Sequence, residues 1–128
     1  MSIVTLTMNP PIDVAAQAGH VRPTSKIRGA APRFDPGGGG INAARTIAAL
    51  GESVTAVFPA GGPVGRLLED LMRGTGVPMR AVPIIGDTRE NIAVTDECTG
   101  EQYRFVFPGP VLTARDVVRL SNGSSVCV

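Results

Sequence analysis

The chain has 128 residues, 43% of them apolar and 18% charged, with 16 Gly, 11 Pro, one Tyr and no Trp. Gly and Pro cluster without a fixed period between segments rich in Val, Ile, Leu and Phe, which excludes a collagen-like repeat and argues for an ordered domain with many tight turns. A formal charge of +1 gives no electrostatic drive toward nucleic acid or a membrane surface, and the length suits one hydrophobic core rather than two.

Residues 2–8 (SIVTLTM) form a β-branched apolar run stopped by Asn9, Pro10 and Pro11, predicted as the first, buried strand of an α/β sheet. Residues 12–18 alternate weakly and predict a second strand with Asp13 at its entry. Residues 26–31 are a further short extended candidate, ended by Pro32. Residues 35–40 (DPGGGG) read as a glycine-rich loop leading into a helix over 41–50. Ile41, Ala44, Ile47, Ala48 and Leu50 fall near one face of that helix, and Gly51 suits its left-handed C′ position. Residues 53–59 return to strand character, and 60–63 are a turn. Residues 64–73 carry Val64, Leu67, Leu68 and Leu71 on one helical stripe, ended by Gly74 and Gly76. Residues 79–85 predict a strand that Pro83 interrupts, at an edge or with an early start at Ile84. Residues 90–95 and 102–107 predict a hairpin across a medium loop. Thr113 is the expected N-cap of a last helix containing Val117, Val118 and Leu120, with Asp116 completing a capping box. This alternation predicts a three-layer α/β/α sheet with right-handed crossovers, and the short strands within 12–31 and 90–107 predict an accessory sheet over one edge.

The strongest chemical signal is residues 35–42 (DPGGGGIN). Consecutive glycines leave backbone N–H groups uncovered and permit positive φ, and here they precede a helix N-terminus. Such a surface suits an oxygen-rich or anionic ligand. A tight turn for close helix–sheet packing is the alternative. The pattern is neither a dinucleotide-binding G-x-G-x-x-G nor a G-x-x-x-x-G-K-[ST] phosphate loop. Asn42 either directs its amide at a ligand hydroxyl or caps locally. Asp13 lies where open α/β sheets gather ligands, as an acceptor for two polyol hydroxyls or as an Asx turn. Lys26 is a point charge for a phosphate or a surface residue, and Arg89 reaches inward or outward. Eleven of the twelve basic residues are Arg, through codon usage or as bidentate phosphate forks. Arg22, Arg66, Arg73 and Arg119 read as solvated charges. His20 reads as a loop residue with no carboxylate at a recognisable spacing, and no metal-ligand cluster is visible. Cys98 and Cys127 read as free thiols in a reducing compartment, with one disulfide as the alternative. No signal peptide and no membrane span of ~20 apolar residues is expected, which makes the cytoplasm the default location.

Residues 5–13 (TLTMNPPID) resemble the T-L-T-x-x-P-x-x-D opening of the PfkB branch of the ribokinase-like carbohydrate kinases, and residues 35–45 (DPGGGGINAAR) are similar to its first signature. Residues 58–62 (FPAGG), 88–91 (TREN) and 100–109 (GEQYRFVFPG) extend the match, which runs from residue 3 to about residue 115. Four glycines stand where tagatose-6-phosphate and fructose-1-phosphate kinases usually read G-G-K-G, so the chain resembles the minor bacterial 6-phosphofructokinases within the branch.

The resemblance implies an incomplete three-layer α/β/α Rossmann-like (ribokinase-like) core, with residues 1–128 as the N-terminal part of one kinase domain. It implies a small β-sheet lid from segments at about 12–31 and 90–107, which also serves as a homodimer interface. The implied chemistry is transfer of the γ-phosphoryl group of MgATP to fructose 6-phosphate, with tagatose 6-phosphate or fructose 1-phosphate as alternative substrates. A non-catalytic fragment or lid-mediated interaction module is the alternative of another class. Carried over by position, Asp13 would bind sugar hydroxyls, Gly38, Gly39 and Asn42 the sugar through the glycine loop, and Lys26 and Arg89 the sugar or its phosphate. The branch's second signature, with its G-A-G-D base, does not occur in the sequence. The general base and the ATP and Mg2+ sites are therefore expected outside this chain, and the isolated chain is expected to be inactive. Residues 124–128 read as a strand fragment or an unrelated tail.

Overall fold

The chain runs β1 (Ile3–Leu6), β2 (Pro11–Ala18), β3 (Arg33–Pro36), α1 (Gly39–Ala49), β4 (Val54–Ala60), α2 (Gly62–Thr75), β5 (Met79–Pro83), β6 (Arg89–Asp96), β7 (Gln102–Val106) and α3 (Ala114–Ser121). A computed structural model describes residues 2–122 of it; Cys127 and the segment 124–128 lie outside the described residues. Two sheets result. The first is all parallel, in the order β1-β4-β5, and the second is mixed, in the order β3-β2-β6-β7.

The parallel sheet is covered on both faces, and its central strand β4 is buried without interruption from Ala56 to Ala60. That is the pattern of a parallel strand sandwiched between helices. On one face Val54, Ala56 and Phe58 pack with Ile41 and Ala44 of α1 and Leu68 and Met72 of α2. On the other, Val57 and Val82 pack with Leu120 of α3. The three-layer α/β/α core expected from the sequence is present, with β5 bonded on one side only among the described residues.

Helix boundaries differ from expectation at three points. α1 begins at Gly39 rather than Ile41, and α2 at Gly62 rather than Val64, so the expected turn over 60–63 is half helix. Pro63 is compatible with that start, because its missing N–H would lack an intrahelical partner there anyway. Gly74 lies inside α2, and the helix ends at Gly76, whose φ of 72° permits the left-handed cap. The apolar stripes are also narrower than predicted. Leu50 is 76% exposed and Leu67 projects outward, while Met72 takes the buried position. In α3 the capping box is present: Asp116 N donates to Thr113 Oγ1 at 3.1 Å, and Thr113 N donates to Asp116 Oδ2 at 2.9 Å. Val117 and Val118 are exposed, so only one edge of α3 faces the sheet. Arg80 donates to the carbonyls of Arg119 and Leu120, both at 2.9 Å, closing the end of α3. Arg119, read as a solvated charge, itself donates to Pro83 O at 3.2 Å.

The second sheet corrects one strand. Residues 26–31 do not form a strand; Gly29 makes a single bridge to Ala18. The edge of β2 over Ile12–Ala15 is taken by β3 in antiparallel register, which leaves only its far end to meet the earlier segment, where Ala30 N donates to Gln17 O at 2.8 Å. Asp35 and Pro36, read as the start of the glycine loop, are therefore strand. Pro36 is tolerated because β3 is an edge strand. The central pair, β2 with β6, is parallel from Pro11↔Arg89 to Ala18↔Asp96. Among the described residues no helix is long and apolar enough to cross a membrane.

Candidate substrate site

Alternation along the mixed sheet sorts its side chains onto two faces of opposite chemistry. Asp13, Asn91 and Val106 form one cross-strand row, and Ala15, Ala93 and Arg104 form the next. With Gln102 they line a concavity of about 220 Å³ floored by small side chains. The residues between them, Ala16, Val94, Tyr103 and Phe105, make the opposite, apolar face, where a second groove of about 240 Å³ also takes in Ile27. Asp35 stands opposite Asp13 in register, and its carboxylate is engaged by Arg33 Nε at 2.9 Å. That ion pair offsets repulsion between two neighbouring carboxylates.

The glycine loop abuts this concavity at Asp13. Gly37 N donates to Pro11 O at 2.9 Å, and a Cβ at Gly37 would run into the Asp13 carboxylate. Gly38 adopts φ 106°, and a Cβ there would lie 2.6 Å from Thr7 Cγ2. A Cβ at Gly40 would strike Thr7 Oγ1 and lie 2.8 Å from the carbonyl oxygen of Leu6. Gly39 alone of the four has open space around it. The loop thus lets the start of α1 lie flush on the end of β1. That start has no side-chain cap and no acidic residue in its first turn, so its N–H donors remain available.

Of the residues expected to bind substrate, Asp13, Gly38 and Arg89 gather around this end of the sheet. Arg89 opens β6. Its Nε and Nη2 donate to Asn9 O at 3.2 and 3.1 Å, and its Nη1 to Phe107 O at 3.1 Å and toward Asn91 Oδ1 at 3.5 Å. The guanidinium therefore ties together the chain segments entering and leaving the second sheet. Gly39 is exposed at the helix start. Asn42 is exposed on α1 and lines a separate shallow groove with Arg45 and Thr46. Lys26 is exposed in the segment between β2 and β3, with no hydrogen bond or ion pair among the described residues. Asn91 and Arg104 line the concavity and were absent from the sequence-based set. The hairpin register carries the signal that finds them, because it places Arg104 opposite Ala93 and on the face of Asp13.

His20 corrects a second expectation. It has a carboxylate partner 76 positions away: its Nδ1 lies 3.0 Å from Asp96 Oδ2. Donors from the backbone at Val21, and further from Thr99 and Cys98, hold the Asp96 carboxyl below the usual carboxylate range, with His20 adding to the effect and desolvation opposing it. Cys98 lies beside them, so a potential metal-ligand cluster exists that the sequence spacing did not reveal.

Comparison with known proteins agrees with this architecture. The family model for pfkB family carbohydrate kinases matches residues 3–120. The ATP-dependent 6-phosphofructokinase isozyme 2 of Mycobacterium tuberculosis is 54% identical over 114 residues, 89% of this chain and 34% of that protein. The isozyme of the same name from Escherichia coli is 50% identical over 120 residues, 94% of this chain and 39% of that protein. The crystal structure of Escherichia coli phosphofructokinase-2 in complex with fructose-6-phosphate superposes with a TM-score of 0.87 at 47% identity, over 93% of this chain and 39% of that one. The chain spans little more than a third of the length of the curated relatives it matches. The three-layer core, the β-sheet lid formed by the second sheet and the family match over residues 3–120 place this chain in the pfkB family of carbohydrate kinases.

Proposed function

We propose that this chain forms the sugar-phosphate side of an ATP-dependent 6-phosphofructokinase of the cytoplasm, within the N-terminal part of one kinase domain. The observation that carries the reading is the placement of Asp13, Asn91 and Arg104 on one concave face of the lid, with Gly37 packed against the Asp13 carboxylate. A carboxylate accepts hydrogen bonds from two neighbouring hydroxyls, and an amide beside it both donates and accepts. Arg104, with Arg89 at the rim and Lys26 from the exposed segment after β2, supplies positive charge for a phosphate dianion. Gly38, Gly39 and Asn42 present the helix start to the sugar.

In this reading O1 of fructose 6-phosphate attacks the γ-phosphorus of ATP as the bond to the β–γ bridging oxygen breaks and ADP leaves. The O1 proton passes to a base that this chain does not supply, and this chain binds and orients the sugar. The concavity is smaller than the ~300–1,000 Å³ of a complete ligand pocket, so further walls must close over it during transfer. Mg2+ would serve as the counter-ion of ATP. The cavity does not fit that ion, because Asp13 is the one carboxylate lining it among the described residues and Arg104 shares its face. The apolar face of the lid, with Phe105 53% exposed beside Tyr103 and Ile27, is read as the surface on which a second copy pairs isologously.

Calorimetric titration of the chain with fructose 6-phosphate tests the site. Saturable binding is expected, weakened about 10–100-fold by Asp13→Ala or Arg104→Ala, the loss typical of a charged hydrogen-bonding partner, with circular dichroism unchanged. Binding that neither substitution alters, or no saturable binding, sinks the reading. Parallel titrations with tagatose 6-phosphate and fructose 1-phosphate separate the alternative substrates. Sedimentation velocity of Phe105→Asp tests the dimer, which is expected to dissociate.

A further inference from the structure

At the opposite end of the β2–β6 pair from Asp13, the β6–β7 turn meets the segment that follows β2. Asp96, the last residue of β6, is 1% exposed although it carries a charge. Its Oδ1 accepts from Cys98 N at 2.8 Å and Thr99 N at 3.1 Å. Its Oδ2 accepts from Val21 N at 2.9 Å and faces His20 Nδ1 at 3.0 Å. These four contacts use all the lone-pair directions of a carboxylate. An ionised Asp96 can only accept, so the proton of the neutral imidazole sits on Nδ1 and the lone pair on Nε2.

Cys98 completes the group. A ring nitrogen of His20, a carboxylate oxygen of Asp96 and Cys98 Sγ lie within 4.8 Å of one another, and Cys98 is exposed, so its side chain can rotate while Asp96 holds the imidazole. An imidazole held in one tautomer by a buried carboxylate, next to a thiol, is the donor set and outer-shell arrangement of borderline-soft divalent cations. Hard cations such as Mg2+ prefer oxygen ligands and have little use for it.

We propose that His20 and Cys98 bind a zinc-class divalent cation at the tip of the lid, with Asp96 as the group that positions His20. The cation takes the imidazole nitrogen and the Cys98 thiolate, whose proton passes to solvent, and water completes its coordination. Bound there, it clips the segment after β2 to the β6–β7 turn, remote from the sugar face.

The test uses the untagged chain carrying Cys127→Ser, so that Cys98 is the only thiol, kept reduced and titrated with Cd2+ as a spectroscopic stand-in. A saturating one-to-one thiolate-to-metal charge-transfer band is expected, absent in Cys98→Ser and shifted at least tenfold to higher Cd2+ in His20→Ala. His20 is the only histidine, so its ring resonances provide a second readout and should move with the same midpoint, unaffected by excess Mg2+. No band, a band of equal affinity in His20→Ala, or ring resonances that stay fixed while the band saturates would overturn the proposal. The last two outcomes identify an isolated thiol binding metal without the histidine.

Discussion

The two sheets of this chain differ in how completely they are covered. The parallel sheet buries both faces, and the interior of its central strand carries Ala56, Val57, Phe58 and Pro59 with almost no exposure. The lid sheet is covered on neither face over most of its length. One of its faces presents Asp13, Asn91 and Arg104 to a concavity, and the other exposes Tyr103 and Phe105. Apolar area removed from water is the main stabilising term in a domain this size, so the core can hold the fold while the lid leaves polar and apolar side chains exposed. Ile12 and Arg89 join the two regions. Ile12 is fully buried in the core cluster although it belongs to a lid strand, and Arg89 bonds the carbonyls on either side of the lid's root.

Phe58→Ala is the strongest way to sharpen this contrast. It should cost about 3–5 kcal/mol through lost burial and a residual cavity, whereas Phe105→Ala should stay within about 1 kcal/mol for the monomer. Urea midpoints read both, and equal losses would break the division. The glycine loop gives the next largest effect. Gly40→Ala drives a Cβ against the backbone of Leu6, which cannot yield cheaply, and should cost about 1–3 kcal/mol, while Gly39→Ala, in open space at a helix start, should be neutral to slightly stabilising by about 0.5 kcal/mol. Thermal unfolding of the pair shows whether close approach, and not glycine itself, is what the loop requires. Thr113→Ala removes the capping box of α3 and should cost about 1 kcal/mol in the same assay, with the lid's ligand affinity unchanged.

The last prediction concerns pH. Asp96 is more acidic in the folded chain than in the unfolded one. Its contribution is therefore present above the unfolded carboxylate pKa of about 3.9 and is lost as pH falls through the lowered folded value. The stability difference between wild type and Asp96→Asn should narrow as the pH falls through that window. A difference that stays constant from neutral to acid pH would show that the ionised carboxylate does not hold the lid tip.

Much of this architecture is legible locally. β-branched runs mark β1 and β4, the Thr113–Asp116 spacing marks a helix start that the structure reproduces, and the glycines mark the loop beside Asp13. Local pattern fails where a distant partner decides. Residues 26–31 have strand-like composition, yet β3 occupies the edge they would need. Leu67 and Leu50 fit helical stripes, yet each helix packs against the sheet along a narrower line. Arg104 looks like one more exposed arginine until the β6–β7 register turns it toward Asp13.

The sequence by itself determined the α/β alternation, the family and the identity of the residues around the glycine loop, because propensity, periodicity and motif spacing act over a few neighbouring positions. Tertiary structure alone decided which face of the lid is polar, how Arg89 is tied to Asn9 and Phe107, and that His20 meets Asp96 and Cys98. Those outcomes depend on strand register and on which edge is already paired. A shift of one residue would turn every lid side chain to the opposite face, and no local stretch of the chain encodes that choice.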